Sequence, residues 1–100
     1  MAAYMIFIRE SEIRDPEAMA AYSGSNRDGT AAFKERFAIE PLAVYGACEA
    51  IEGKAAEGVV LLKFPDMEKA RGWYNSPEYQ KAIPLCMQAA DYRAILFEGL

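Results

Sequence analysis

The chain contains no histidine, only two cysteines, and no apolar run approaching the 18 residues that a membrane-spanning helix needs. Each absence removes a class of function. Without histidine, a Ser-His-Asp or Cys-His catalytic device, a histidine-ligated zinc and a histidine-held haem cannot be built from this chain. Cys48 and Cys86 are far apart, match no CxxC spacing and have no basic neighbour to lower a thiol pKa. They read as small buried hydrophobes in a reducing compartment. Basic residues are also scarce, 11 against 15 acidic, for a net charge of −4. Nucleic-acid binding, which needs a dense basic footprint, is not expected. Met1-Ala2-Ala3-Tyr4 lacks a basic leader followed by a long apolar stretch, so a cytoplasmic protein without a membrane partner is expected.

Aliphatic bulk is thin as well. Hydrophobic residues make up 53% of the 100 residues, but 18 of them are alanine, and Leu, Ile, Val and Phe together number 21. A chain of this length has room for one core, and we expect one domain over residues 1–100. With so little aliphatic surface to bury internally, it gains from covering surface against a partner.

Tyr4 to Arg9 is an aromatic and β-branched run that suits a strand. Asp15-Pro16-Glu17 is a helix start, with Asp as N-cap, Pro at the first position and Glu in the first turn. The helix that follows is expected to be weakened at Ser23-Gly24-Ser25-Asn26 and interrupted near Asp28-Gly29, then resumed through Phe33 and Phe37. Leu42 to Ile51 reads as a long strand containing Gly46, Glu52-Gly53-Lys54 as a turn, and Val59 to Phe64 as the most apolar strand. The short connection makes these two an antiparallel hairpin. Asp66 caps a helix over Met67 to Tyr74, and Ser76-Pro77 restarts it, with Tyr79, Ile83 and Met87 on one face and a kink at Pro84. Arg93 to Phe97 is the last strand. The order β-α-β-β-α-β is that of the ferredoxin-like α+β fold, a four-stranded antiparallel sheet with two helices on one face. Strands 1 and 3 are apolar on both sides, so the face away from the helices is expected to be covered by a second copy, giving a homodimer of the dimeric α/β barrel type.

The string Trp73-Tyr74-Asn75-Ser76-Pro77-Glu78-Tyr79-Gln80, together with Phe64-Pro65, Ile51-Glu52-Gly53 and Phe97-Glu98-Gly99, resembles the bacterial domain of unknown function 1330 family over almost the whole chain. The resemblance implies the same fold and a dimeric α/β barrel, and it carries no function. The wider superfamily includes cofactor-independent monooxygenases, muconolactone-isomerase-like enzymes, haem-degrading enzymes and ligand-binding or stress-responsive modules. The missing histidine disfavours the haem-handling branch. The sequence departs from the family pattern at Tyr45-Gly46-Ala47, where Arg-Gly-Gly is common, and near Cys86, where an arginine is common. An anionic ligand held by those arginines in relatives would here need Arg9, Arg71 or Arg93.

Candidate site residues follow from chemistry. Trp73, Tyr74 and Tyr79 either fasten the helix break to the sheet or line a cleft for a small, flat organic ligand. Glu49 falls mid-strand on the face of Tyr45, Ala47 and Ile51. It is either a solvated or arginine-paired carboxylate, or a general base whose pKa is raised in an apolar cleft. Arg9 and Arg93 either protect strand edges and bridge a dimer, or hold a carboxylate or enolate oxygen. Tyr22 and Tyr45 are core residues, or hydrogen-bond donors if their hydroxyls converge on one cavity. No cofactor or metal is expected. The function expected is a small-molecule-binding dimer. The alternatives are a cofactor-independent isomerase or monooxygenase acting on an enolisable or aromatic substrate, and a purely structural assembly part.

Overall fold

In the computed structural model, the backbone of all 100 residues and the side chains outside residues 25–32 are described. The elements are β1 (Ala3–Arg9), α1 (Pro16–Phe37), β2 (Glu40–Val44), β3 (Gly58–Phe64), α2 (Met67–Tyr74), α3 (Pro77–Ala89) and β4 (Tyr92–Glu98). The four strands form one antiparallel sheet in the order β2-β3-β1-β4. This is the ferredoxin-like arrangement, with the second crossover divided into α2 and α3.

The strand registers assign the two faces. Ala3, Met5 and Phe7 of β1, with Leu62 and Phe64 of β3, are buried on the helix side. On the other side a row of Ile95, Ile6, Leu61 and Ala43 crosses all four strands. Ile95 and Phe97 on that side are each about 40% exposed (42% and 41%), a large apolar exposure for mid-strand positions.

The helix starts are where the sequence places them. Asp15 Oδ1 accepts from the Ala18 N–H, Asp66 Oδ1 from the Lys69 N–H, and Ser76 Oγ from the Tyr79 N–H. Ser76 also acts on the preceding helix. Its hydroxyl donates to the Trp73 carbonyl at 2.7 Å, so one buried side chain closes α2 and opens α3. Gln80 Nε2 donates to the Tyr74 carbonyl, satisfying another C-terminal acceptor of α2.

Four expectations are corrected. First, α1 is one continuous helix rather than a broken one. Two glycines cost a helix about 1 kcal/mol each, and here packing against α3 and caps at both ends outweigh that cost. The side chains of Ser25, Asn26 and Asp28 lie outside the described residues. Second, β2 ends at Val44 instead of continuing to Ile51. Tyr45 takes a left-handed conformation (φ 53°), turning the chain off the sheet, and the small residues beyond it (Gly46, Ala47, Cys48, Ala50) offer little to pack. Third, the buried stripe of α3 is Tyr79, Ala82, Cys86 and Ala89, with Met87 exposed. Small residues on that stripe let α1 and α3 approach closely. Fourth, Cys48 is exposed in the loop after β2, whereas Cys86 is buried as expected and burial pushes its thiol pKa up, partly opposed by a hydrogen bond from Tyr22.

The interior is aromatic where aliphatic bulk is short. Tyr79 is buried under α3 and shares a 2.8 Å hydroxyl–hydroxyl hydrogen bond with Tyr22 of α1. Burial and the neighbouring Tyr22 push the Tyr79 pKa well above the ordinary tyrosine range.

Two outcomes test these features. Ser76→Ala should lower the free energy of unfolding by about 1–2 kcal/mol, because it removes an N-cap acceptor and a buried donor together; denaturant titration measures this. The second concerns alkaline pH. Tyr79 holds its proton in the folded state above the value at which it ionises when unfolded, so its contribution is complete below about pH 10 and is lost as pH rises beyond it. Above pH 10, wild-type stability should fall more steeply than that of Tyr79→Phe by about 1.4 kcal/mol per pH unit. Equal slopes would show that the Tyr79 hydroxyl is not held protonated.

Candidate functional site

Between α1 and the helix-side face of the sheet lies a cavity of about 260 Å³. Phe7 of β1 and Val60 and Leu62 of β3 form its sheet side, and Met19 and Phe33 of α1 and Trp73 of α2 its helix side. Val44, 60% exposed, and Tyr45, 42% exposed, mark the side open to solvent. For scale, a dry engineered cavity of about 150 Å³ accommodates benzene.

Polar lining residues are few: Ser23 of α1 and three tyrosines. Tyr22, Tyr45 and Tyr92 all line the cavity. The Tyr45 and Tyr92 hydroxyls hydrogen bond at 2.6 Å, joining the end of β2 to the start of β4 across the intervening strands. The Tyr92 hydroxyl also reaches the Met19 Sδ at 3.8 Å, a weak acceptor. Burial, then the Tyr45 hydrogen bond, pushes the Tyr92 pKa above the ordinary tyrosine range, with the Arg9 charge acting in the opposite direction. Tyr92 is a protonated hydroxyl at neutral pH, as tyrosines ordinarily are, and burial carries that state to more alkaline pH.

Tyr45 is positioned by what β3 lacks. Its ring lies across Gly58, where an added Cβ would come within 2.7 Å of the ring, and its N–H donates to the Val59 carbonyl. Arg9, at the end of β1, crosses the same glycine. Its guanidinium lies 5.4 Å from the Tyr45 ring centroid, and Nη2 donates to the Glu57 carbonyl at 3.1 Å. A side chain at position 58 would push the two apart. The left-handed backbone of Tyr45, a sparsely populated conformation for a non-glycine residue, is sustained by these contacts.

The structure thus brings Tyr22, Tyr45 and Trp73 together in the cavity wall, places Arg9 against the Tyr45 ring just outside the lining, and separates the other expected residues from them. Trp73 is a cavity wall and a core residue at once. Tyr79 is packed behind it at 4.2 Å between ring centroids and does not line the cavity. Tyr74 borders a separate depression with Arg71 and Asn75. Arg93 lies on the opposite face of the sheet, ion-paired with Glu10 at 3.3 Å. Glu49 is exposed to solvent in the irregular segment after Tyr45, not mid-strand in an apolar cleft.

Tyr92, Met19 and Phe33 were not among the expected site residues. Tyr92 could have been found: starting the last strand one residue earlier puts it in alternation with Ala94 and Leu96, on the helix side. Met19 and Phe33 carried no signal beyond helical spacing. Among the described residues, no group of three or more potential metal ligands occurs, and no helix is long and apolar enough to cross a membrane.

No curated protein matches the chain. Solved structures do. The RPA0582 protein of unknown function from Rhodopseudomonas palustris superposes with a TM-score of 0.69 at 18% identity, covering 99% of this chain and 82% of that one. A dimeric ferredoxin-like protein of unknown function from Jannaschia sp. CCS1 gives 0.68 at 16% identity, covering 99% and 100%. A candidate antibiotic biosynthesis monooxygenase from Nitrosomonas europaea gives 0.60 at 9% identity, covering 100% and 99%. These likenesses show the ferredoxin-like fold. The family is shown by sequence: a model of the domain of unknown function DUF1330 matches residues 2–100, and the chain belongs to that family.

Proposed function

We propose that the protein is a homodimer that binds a small, flat, mostly apolar organic molecule in the cavity between α1 and the sheet. The observation that carries this reading is the cavity itself: about 260 Å³ walled by Phe7, Phe33, Leu62 and Trp73, with a few tyrosine hydroxyls to orient a ligand. A purely structural part would be expected to fill this space with side chains. Dimerisation is supported by the apolar row Ile95-Ile6-Leu61-Ala43 on the open sheet face and by the dimeric state of the Jannaschia relative. The two features occupy opposite faces of one sheet, so a dimer can form without occluding the cavity.

The likeness to the Nitrosomonas protein supports a second reading, a cofactor-independent isomerase or monooxygenase. Such chemistry needs a proton acceptor at the substrate. No carboxylate is among the described cavity residues, and Tyr92 is held protonated. Binding is the better-supported function.

Trp73 is the chain's only tryptophan and forms part of the cavity wall, so its fluorescence reports occupancy. Titration with 4-ethylbenzamide, a neutral aromatic probe, should change the emission saturably. Val60→Phe, which fills the space, should abolish that change while leaving the unfolding midpoint equal or higher. A wild-type protein unresponsive both to this amide and to 4-ethylbenzoate would reject the cavity as a binding site. For assembly, sedimentation at micromolar concentration should give a dimer, and Leu61→Glu in the centre of the open face should give a folded monomer. A monomeric wild type would rule out the dimer.

A further inference from the structure

We infer that the cavity's ligand class is a small aromatic or branched carboxylic acid, held as its anion by Arg9 with the Tyr45 and Tyr92 hydroxyls while its apolar body lies against Trp73. The inference rests on the cavity's being a binding site, as proposed above, and adds the charge of what it binds.

Three observations carry it. The first is polarity by position. The cavity wall is apolar along Phe7, Leu62 and Trp73, and hydroxyls meet at the Tyr45–Tyr92 corner, beside the only cation in contact with a cavity tyrosine among the described residues. A molecule with one apolar end and one oxygen-rich end matches that division. The second is the state of Arg9. Among the described residues no carboxylate lies within ion-pair distance of it, although Arg14, Arg36, Lys54 and Arg93 each have one. Among the described residues its Nε is buried without a hydrogen-bond partner, and the acceptor its guanidinium reaches is the Glu57 carbonyl. In a chain with a net charge of −4, a half-buried guanidinium with donors to spare is a place where an anion replaces a missing carboxylate. The third is the hydroxyl relay. Tyr92 donates to the Met19 thioether, a weak acceptor at 3.8 Å, which an anionic oxygen would readily displace. The Gly58 cradle and the left-handed Tyr45 hold Arg9 and the hydroxyl pair in place before any ligand arrives.

The experiment compares 4-ethylbenzoate with the isosteric neutral 4-ethylbenzamide by Trp73 fluorescence on the full chain. The acid should bind at least about tenfold more tightly, and its affinity alone should weaken as salt is raised. In Arg9→Gln the two affinities should come within about twofold, the acid losing far more affinity than the amide; Arg9→Lys should restore part of the preference. Equal binding of acid and amide to the wild type would overturn the anion inference and leave the cavity standing. If neither probe binds, the cavity reading falls and this inference with it. An acid preference that survives Arg9→Gln would overturn the assignment to Arg9, and the salt dependence of the wild type tests the charge requirement even if that variant fails to fold.

Discussion

Trp73 is the one contact point at which every layer of this protein meets. Its ring packs edge-on to Phe7 of β1 and Phe33 of α1, lies 5.7 Å from Phe64 of β3, and stacks closest on Tyr79 of α3. In a chain with only 21 Leu, Ile, Val and Phe residues, one indole does what several aliphatic side chains would otherwise do, because large aromatic side chains each bury about 150–250 Å². The helix break beside it serves the same end. Ser76 ties the Trp73 carbonyl to the start of α3, which fixes the angle at which Tyr79 meets the indole.

A core assembled from rigid plates fills space unevenly. Rings at edge-on and tilted angles cannot collapse into the volume beside them, as flexible aliphatic chains could. On one side of Trp73 the space is taken by Tyr79 and Phe64. On the other, towards the mouth at Val44 and Tyr45, it stays open. The cavity is therefore continuous with the device that stabilises the fold, and its wall cannot be softened without loosening the junction of α1, α2 and the sheet.

The parts of the fold legible in the sequence are those set by local chemistry. Asp15-Pro16, Asp66 and Ser76-Pro77 start their helices where expected, because a cap is decided within four residues. Strand alternation gave the two sheet faces for the same reason. What the sequence did not reveal is set by distant partners. Continuity of α1 depends on α3, and the end of β2 on how Tyr45 can lie over Gly58. Glu49 looked like a general base only while it shared a strand with Tyr45. The left-handed conformation of Tyr45 itself turns the chain off the sheet and leaves the carboxylate in solvent. Arg9 was legible as a polar group at a strand end and Tyr45 as a core residue or hydrogen-bond donor within a strand, but their meeting across a glycine 49 positions from Arg9 was not.

The same sheet then serves two surfaces with different chemistry. The open face is apolar across its centre, with the Arg93–Glu10 pair towards one end. The helix-side face is apolar along Phe7 and Leu62 and turns polar at the Arg9, Tyr45 and Tyr92 corner. In an antiparallel sheet adjacent residues point to opposite faces, so Arg9 and Ile8 of β1, and Tyr92 and Arg93 of β4, can be devoted to separate roles one residue apart. A tyrosine is a neutral donor at physiological pH, and burial extends that state of Tyr92 to more alkaline pH, so its hydroxyl can donate to an anion rather than repel one. With histidine absent and Glu49 out in a loop, the polar groups that this corner of the sheet presents to the apolar chamber are tyrosine hydroxyls, and these are what the proposed binding draws on.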